Sequence, residues 1–122
     1  MERYGTAAPV GTIRAQLGEG PRWDAGARRL LWVDIEGGVV HAGDRAVPCG
    51  AKVGCVAPWS GDTVLAGLAG ALAAVDLASG AVRELCAIPH GRPGLRVNDG
   101  ACDPQGRFWV GTMAEDESPG AG

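Results

Sequence analysis

The sequence predicts an all-β fold, and three observations support this class. The 122 residues include 21 glycines, many of them at positions where short turns are expected. No convincing long amphipathic helix is present in the pattern of apolar residues. A turn followed by a short β-branched or aromatic run occurs three times along the chain. Many short strands separated by frequent turns are typical of all-β domains.

The three copies of this turn-and-strand pattern lie at regular intervals. They span residues 23–34, 59–67 and 102–111. Their strand centres are about 35 to 45 residues apart, which is the period of four-stranded β-propeller blades. At about 40 residues a blade, the chain has room for about three blades at most. Closed propellers have about four to eight blades, so we interpret the chain as about the first two to three blades of a β-propeller.

The stretch from 65 to 77 is rich in alanine and leucine and is the best helical candidate of the chain. Gly67 and Gly70 interrupt it, and a turn follows it. Glycine weakens a helix because it loses much conformational freedom on folding. We therefore predict two strands in this region, at 70–76 and 81–86.

Charge and hydropathy argue against several classes of function. The formal net charge is −3, and basic residues are not interleaved with aromatic ones, so no nucleic-acid partner is predicted. No apolar run reaches the length of a membrane helix, which is about 20 residues. The segment Met1–Gly5 lacks the charged-then-apolar pattern of a signal peptide. We therefore expect a cytoplasmic protein that contacts no membrane.

We interpret the cysteines, tryptophans and histidines as structural or surface residues rather than as parts of a functional site. None of the four cysteines belongs to a C-x-x-C pair, so we interpret them as small buried thiols rather than as metal ligands. We expect the four tryptophans to pack in the core between blades. The two histidines have no second ligand at metal spacing, and we expect both at the surface. The residues concerned are Cys49, Cys55, Cys86, Cys102, Trp23, Trp32, Trp59, Trp109, His41 and His90.

The segment from 96 to 113 carries a dense polar cluster followed by a turn and a strand. Arg96, Asn98 and Asp99 offer a guanidinium, an amide and a carboxylate within four residues. A turn is predicted at 103–106, where proline presets φ and glycine takes a positive φ. A polar loop that enters a hairpin is a usual place for a site on an all-β scaffold. Asp99 itself is expected to accept hydrogen bonds from local backbone amides. Four other aspartates are expected at turns or strand edges: Asp24, Asp34, Asp62 and Asp103.

Two motifs lie toward the two ends of the chain. The first is Leu17–Asp24 followed by Leu31–Ile35, and the second runs from Arg96 to Met113. Together, in order and in spacing, they resemble the signatures of the senescence marker protein, gluconolactonase and regucalcin family, and the resemblance covers nearly the whole chain. It implies a six-bladed β-propeller with one divalent metal ion in the central channel. Many members of the family hydrolyse sugar lactones to aldonic acids.

The resemblance assigns roles to four residues. Glu19 matches the first metal ligand of the family, and Arg96 and Asn98 match residues that contact oxygens of the substrate. Asp116, with Glu115 beside it, matches a carboxylate that lines the pocket in some members. The remaining protein ligands of the metal, an asparagine and an aspartate, come from later blades of the family. Oxygen ligands suit calcium, magnesium or manganese, and zinc is also compatible, so the identity of the ion stays open.

We predict on this basis a metal-dependent hydrolase that opens sugar lactones. A divalent cation polarises a lactone carbonyl and lowers the pKa of a bound water, while arginine offers a planar fork of donors to sugar oxygens. We interpret residues 1–122 as the N-terminal part of a single propeller domain, which argues against catalysis by this chain alone. Two alternatives remain: a non-catalytic calcium-binding or interaction propeller, and an inactive truncated remnant. The oligomeric state and the preferred lactone stay open.

Overall fold

Ten β-strands and no helix make up the regular structure of residues 3–122 in this computed structural model. Residues 1 and 2, which belong to the predicted domain and to the segment Met1–Gly5, lie outside the described residues. The all-β prediction is confirmed. The strands are β1 Gly18–Asp24, β2 Arg29–Asp34, β3 Val39–Ala42, β4 Arg45–Pro48, β5 Val53–Ser60, β6 Thr63–Leu68, β7 Ala71–Asp76, β8 Val82–Ala87, β9 Leu95–Cys102 and β10 Phe108–Ala114.

The strands form three antiparallel sheets in the order of the chain. The first two sheets are four-stranded, with orders β1-β2-β3-β4 and β5-β6-β7-β8, and β9 pairs with β10 in a two-stranded third sheet. The strands predicted at 70–76 and 81–86 are present as β7 and β8, with small differences at their ends. The predicted turn at 103–106 is also confirmed, since Gly106 has a φ of 81°.

The first strands of the three sheets lie side by side. β5 contacts β1 on one side and β9 on the other. A Cβ atom on Gly54, near the start of β5, would lie 2.3 Å from the carbonyl oxygen of Asn98, in the middle of β9. Arg22 of β1 donates from Nη2 to the carbonyl oxygen of Gly100 in β9 at 2.6 Å. This is the arrangement of consecutive β-propeller blades around an axial channel, and it confirms the interpretation of about two to three blades.

Gly54 is where the second and third sheets approach most closely. An added Cβ atom would also lie 2.4 Å from the carbonyl oxygen of Val97, so the substitution Gly54→Ala forces one backbone against another. We expect this variant to lose about 3 kcal/mol of unfolding free energy, at the upper end of what overpacking costs. Urea denaturation measures it. Gly111→Ala is the control, because the nearest atom to its added Cβ, the carbonyl oxygen of Asp99, is 3.9 Å away. Equal stability of the two variants contradicts the close approach.

The hydrophobic core lies between the first and second sheets. Its members come from the inward faces of β2, β3, β5, β6 and β7 and from the residues that follow these strands, and side chains at alternate positions of a strand share a face. The largest fully buried side chains are Leu31, Ile35, Val33, Val40, Val53, Val56, Val64, Val75 and Val97. Val97 of β9 is also fully buried, and a Cβ atom on Gly67 of β6 would lie 2.8 Å from its Cγ1, so this side chain packs the third sheet against the second.

An ion-pair network joins the first two sheets at the ends where β1 and β5 finish. Arg29 contacts Asp24 through Nε at 3.1 Å and Asp62 through Nη1 at 3.0 Å. Its Nη2 donates to the carbonyl oxygen of Gly61 at 2.8 Å. Arg45 of β4 adds a contact of 3.2 Å to the other oxygen of Asp62. The predicted turn and strand-edge positions of Asp24 and Asp62 are therefore confirmed; Asp24 pairs within the first sheet, and Asp62 carries the inter-sheet contacts.

The predictions for the ring side chains are mostly wrong. Trp23, Trp59 and Trp109 are 62%, 53% and 62% exposed, so they do not pack in the core. His41, expected at the surface, is buried at 7% exposure. Its ring stacks on Trp32 with centroids 3.8 Å apart, because the two residues face each other across β2 and β3. His90 is half-buried, with Nε2 2.7 Å from the carbonyl oxygen of Ala69.

The four cysteines are free thiols, as predicted, but only Cys55 is fully buried. Burial raises the pKa of the Cys55 thiol to about 11. Cys49 is half-buried, whereas Cys86 and Cys102 are exposed. The prediction of buried thiols is therefore wrong for these last two, because β8 is an outer strand and Cys102 ends β9 at a surface turn.

His41 makes the stability of the fold depend on pH. Burial lowers the pKa of His41 below its usual 6.5, and the charge of Asp34 opposes this only in part. The unfolded chain therefore binds the proton more readily, so stability is retained above pH 6.5 and decreases as the pH falls toward the pKa of the folded state. We expect His41→Phe, which keeps a ring beside Trp32, to flatten this decrease. Urea denaturation between neutral and mildly acidic pH measures the unfolding free energy of both proteins. If its dependence on pH is the same in His41→Phe, His41 is not the group responsible.

Candidate functional site

Glu19 is the second residue of β1, and Asp34 fixes the chain that leads to it. The Asp34 carboxylate accepts hydrogen bonds from the backbone N–H groups of Gln16, Leu17 and Gly37, each at 3.0 Å. Burial raises the pKa of Asp34, but these three bonds outweigh it and hold the pKa below its usual value. The entry into β1 and the turn after β2 are thus tied to one ionised side chain.

Glu19 lies at a β-bulge and points to an accessible surface. The pairing of β1 with β2 shifts register between Glu19 and Arg22, and bulges of this kind redirect side chains and are common beside functional sites. Glu19 is exposed and lines a cleft of about 890 Å³ together with Trp32 and residues 10–13. Within residues 3–122 its carboxylate makes no hydrogen bond or ion pair, so it is available to a ligand.

The structure brings Arg96 and Asn98 together on β9. Both project from the same face of the strand, since they are two residues apart. Arg96 is 7% exposed and donates from Nη1 to the side-chain oxygen of Asn98 and to the carbonyl oxygen of Val97, both at 3.1 Å. Among the described residues, its Nε and Nη2 have no hydrogen-bond partner, and neither is a fully buried atom. An oriented guanidinium thus presents unused donors to a ligand.

Asp99, next in the chain, has the local role expected from the sequence. Its carboxylate accepts a hydrogen bond of 2.8 Å from the backbone N–H of Gly100 and lies 3.8 Å from Arg22. These contacts connect β9 with β1.

Asp116 lies directly after β10 in an exposed turn. Its Oδ1 accepts hydrogen bonds from the backbone N–H and the hydroxyl of Ser118, and these bonds lower the pKa of its carboxyl. β10 pairs with β9 so that Met113 is opposite Arg96. Asp116 is therefore near the end of the sheet that bears Arg96 and Asn98, but no hydrogen bond or ion pair joins it to them in the part of the chain described.

One lysine connects all three sheets at this end of the molecule. We call the end at which β1, β5 and β9 begin the channel mouth; it is marked by Gly18, Val53 and Leu95. Lys52, immediately before β5, places its Nζ 2.7 Å from Glu115 and 3.3 Å from Glu36. The sequence analysis did not identify Lys52 or Glu36, and no local pattern indicates them.

The described residues supply only part of a metal site. No group of three or more His, Cys, Asp or Glu side chains in residues 3–122 is placed to hold an ion. The unpaired carboxylate of Glu19 fits one ligand position of a hard cation, which prefers oxygen donors. Within the same residues no helix could cross a membrane.

Sequence comparison connects the chain to one family. The SMP-30/Gluconolactonase/LRE-like region matches residues 17–122. Regucalcin of Gallus gallus is 38% identical over 117 residues, covering 90% of this chain and 39% of the relative. L-arabinolactonase of Azospirillum brasilense is 34% identical, covering 94% of this chain and 40% of the relative. The chain thus spans about two fifths of the length of these curated relatives.

Structure comparison agrees with the fold described above. The crystal structure of a calcium-binding protein, regucalcin, from Agrobacterium tumefaciens matches with a TM-score of 0.77 at 25% identity, covering 85% of this chain and 37% of that one. A luciferin-regenerating enzyme matches with a TM-score of 0.76 at 24% identity, covering 86% and 38%, and this supports the fold alone. The two signatures, the three sheets and these matches agree: the chain belongs to the SMP-30/gluconolactonase/LRE-like family and forms part of its β-propeller.

Proposed function

We propose that the chain is the N-terminal part of a single propeller domain that hydrolyses sugar lactones with the help of a divalent metal ion. Several relatives are named as lactonases, among them L-arabinolactonase and 6-deoxy-6-sulfogluconolactonase of Pseudomonas putida. The observation that carries the proposal is the Arg96 guanidinium, oriented by Asn98 and open at Nε and Nη2. The proposed substrate is a small sugar lactone and the proposed compartment is the cytoplasm.

In this proposal Glu19 holds the metal ion with ligands from later blades, which the described residues do not include. When bound, a divalent cation polarises the lactone carbonyl and lowers the pKa of bound water. Calcium, zinc, magnesium and manganese all remain candidates, because a carboxylate ligand suits each of them.

Arg96 and Asn98 have complementary parts in substrate binding. The guanidinium donates to ring and hydroxyl oxygens of the sugar, and its charge strengthens those bonds. Asn98 keeps its amide N–H groups for a sugar oxygen, since its side-chain oxygen already accepts from Arg96. Asp116 is proposed to line the same pocket and to accept from a sugar hydroxyl. These residues orient the lactone and perform no proton transfer in this scheme.

A panel of aldonolactones tests the proposal. Ring opening releases acid, so the rate is followed with a pH indicator, in the complete propeller and in the 122-residue chain, with each metal added in turn. We expect metal-dependent acid release in the complete propeller. Absence of hydrolysis for every lactone and every metal contradicts the proposed activity.

A calcium-binding propeller without catalysis is the second candidate. The structural relative from Agrobacterium tumefaciens is described as a calcium-binding protein. Glu19 can act as a calcium ligand whether or not a sugar pocket is present. Calcium binding measured by calorimetry together with an inert lactone panel favours this candidate.

An inactive remnant is the third candidate, and it is tested by the behaviour of the 122-residue chain in solution. Uncovered sheet edges promote association with other chains. A monomeric size in solution with one cooperative unfolding transition argues against a collapsed or self-associating fragment.

A further inference from the structure

Glu115 has two cations within its reach at the channel mouth. Lys52 contacts it directly at 2.7 Å. Arg96 is its diagonal neighbour across the β9–β10 ladder, because Met113 is opposite Arg96 and Glu115 follows two residues later on the same face. The backbone N–H of Glu115 donates to the carbonyl oxygen of Gly94 at 2.8 Å, and a glycine there leaves room for the carboxylate to move. The carboxylate of Glu115 can therefore pair with either Lys52 or Arg96.

The carboxylate of Glu115 pairs with Lys52 and not with Arg96. In residues 3–122 the guanidinium makes no ion pair, although Glu115 is close enough for its carboxyl to feel the charge of Arg96. The hydrogen bond from Lys52 is the main reason that the pKa of Glu115 is low, with the charge of Arg96 a weaker cause. Glu36 is a second carboxylate partner of the Lys52 ammonium, at 3.3 Å.

We infer that Lys52 is a positioning residue of the channel mouth: it holds the Glu115 carboxylate away from Arg96 and so keeps the guanidinium open to substrate oxygens. The inference rests on the proposed function, since it deepens the substrate role given to Arg96. Without Lys52, Glu115 pairs with Arg96 and competes with the ligand for Nε and Nη2. If Lys52 only linked the sheets, the result would differ. Removing both Lys52 and Glu115 would then not restore ligand binding.

The test uses four variants of the complete propeller, which supplies the later blades that the proposed function requires. Lys52→Met removes the ammonium but keeps the length of the side chain, and Lys52→Arg keeps the charge. The double variant Lys52→Met with Glu115→Gln also removes the competing carboxylate. Arg45→Met is the matched control, because Arg45 is a cation of similar exposure paired with Asp62 at the opposite end of the sheets.

Two readouts separate the inference from the proposed function. The first is the nuclear magnetic resonance signal of the Arg96 Nε–H group without ligand, which reports a new ion pair. The second is the affinity for D-gluconate, an aldonate that is not hydrolysed further, measured by chemical-shift titration.

We expect Lys52→Met to shift the Arg96 signal and to weaken gluconate binding about fivefold, the upper range for an exposed ion pair. The double variant and Lys52→Arg are expected to bind within about twofold of the parent chain, as is Arg45→Met. An unchanged Arg96 signal in Lys52→Met overturns the inference, as does a double variant that binds as weakly as Lys52→Met. A parent chain that does not bind gluconate contradicts the substrate role of Arg96, and the Arg96 signal then decides the inference by itself.

Discussion

In the complete propeller, Glu19→Gln is expected to weaken divalent metal binding by about 100-fold or more, because outer contacts of metal ligands already contribute about 10- to 100-fold. The amide keeps the size of the side chain and removes the negative charge that attracts a divalent cation. Its position at the bulge of β1 and the absence of any partner within residues 3–122 indicate that the carboxylate has no structural task. We therefore expect Glu19→Gln to change the free energy of unfolding of the metal-free protein very little.

Calorimetric titration with calcium and manganese measures the affinity, and lactone hydrolysis at limiting metal measures the consequence for turnover. Glu84→Gln is the matched control, because Glu84 is also an exposed glutamate without a side-chain hydrogen bond or ion pair among the described residues, but it lies on the outer strand β8. Turnover equal to that of the parent under limiting metal contradicts the role of Glu19 as a ligand.

Arg96→Met is expected to lower kcat/KM for lactone hydrolysis by about 100-fold, because charge-assisted hydrogen bonds contribute about 1.5 to 3 kcal/mol each. The loss has two physical parts. The donors at Nε and Nη2 disappear, and the side-chain oxygen of Asn98 loses the bond of 3.1 Å that orients it. Arg96→Lys restores the charge without the planar fork, so we expect it to recover only part of the loss.

Arg107→Met is the control for this prediction. Arg107 is another arginine of the third sheet's hairpin, but it contacts Asp103 and the Trp109 ring near the turn before β10, away from the channel mouth. Steady-state kinetics with the best lactone of the panel compares the variants. If Arg96→Met and Arg107→Met have the same kcat/KM, Arg96 does not contact the substrate. Retained metal binding in Arg96→Met separates this result from a loss of the metal site.

The relation between Lys52 and Arg96 connects these predictions. The substrate is proposed to bind the Nε and Nη2 donors of Arg96, which Glu115 would otherwise occupy. Substrate affinity at the channel mouth therefore depends on how the charged residues are paired as well as on which are present. Lys52 is therefore the residue at which a change in sequence would alter affinity without altering any proposed contact to metal or sugar.

The sequence by itself determined the elements that depend on neighbouring residues. Turns rich in glycine, proline and aspartate end each strand, as at 103–106, and the strands between them follow. Arg96 and Asn98 share a face because side chains two apart on a strand always do so. The chain also determined its family, since the two signatures lie within it.

Only the tertiary structure decided the features that depend on distant segments. Lys52 meets Glu36 and Glu115 because three sheets pack side by side, and no sequence spacing encodes a contact between residues 52 and 115. His41 is buried because β3 places it against Trp32, whereas Trp109 is exposed and its ring contacts Asp103 and Arg107 near its own turn. Burial and ion pairing arise from what packs against a side chain, and this is set by the arrangement of sheets rather than by local sequence.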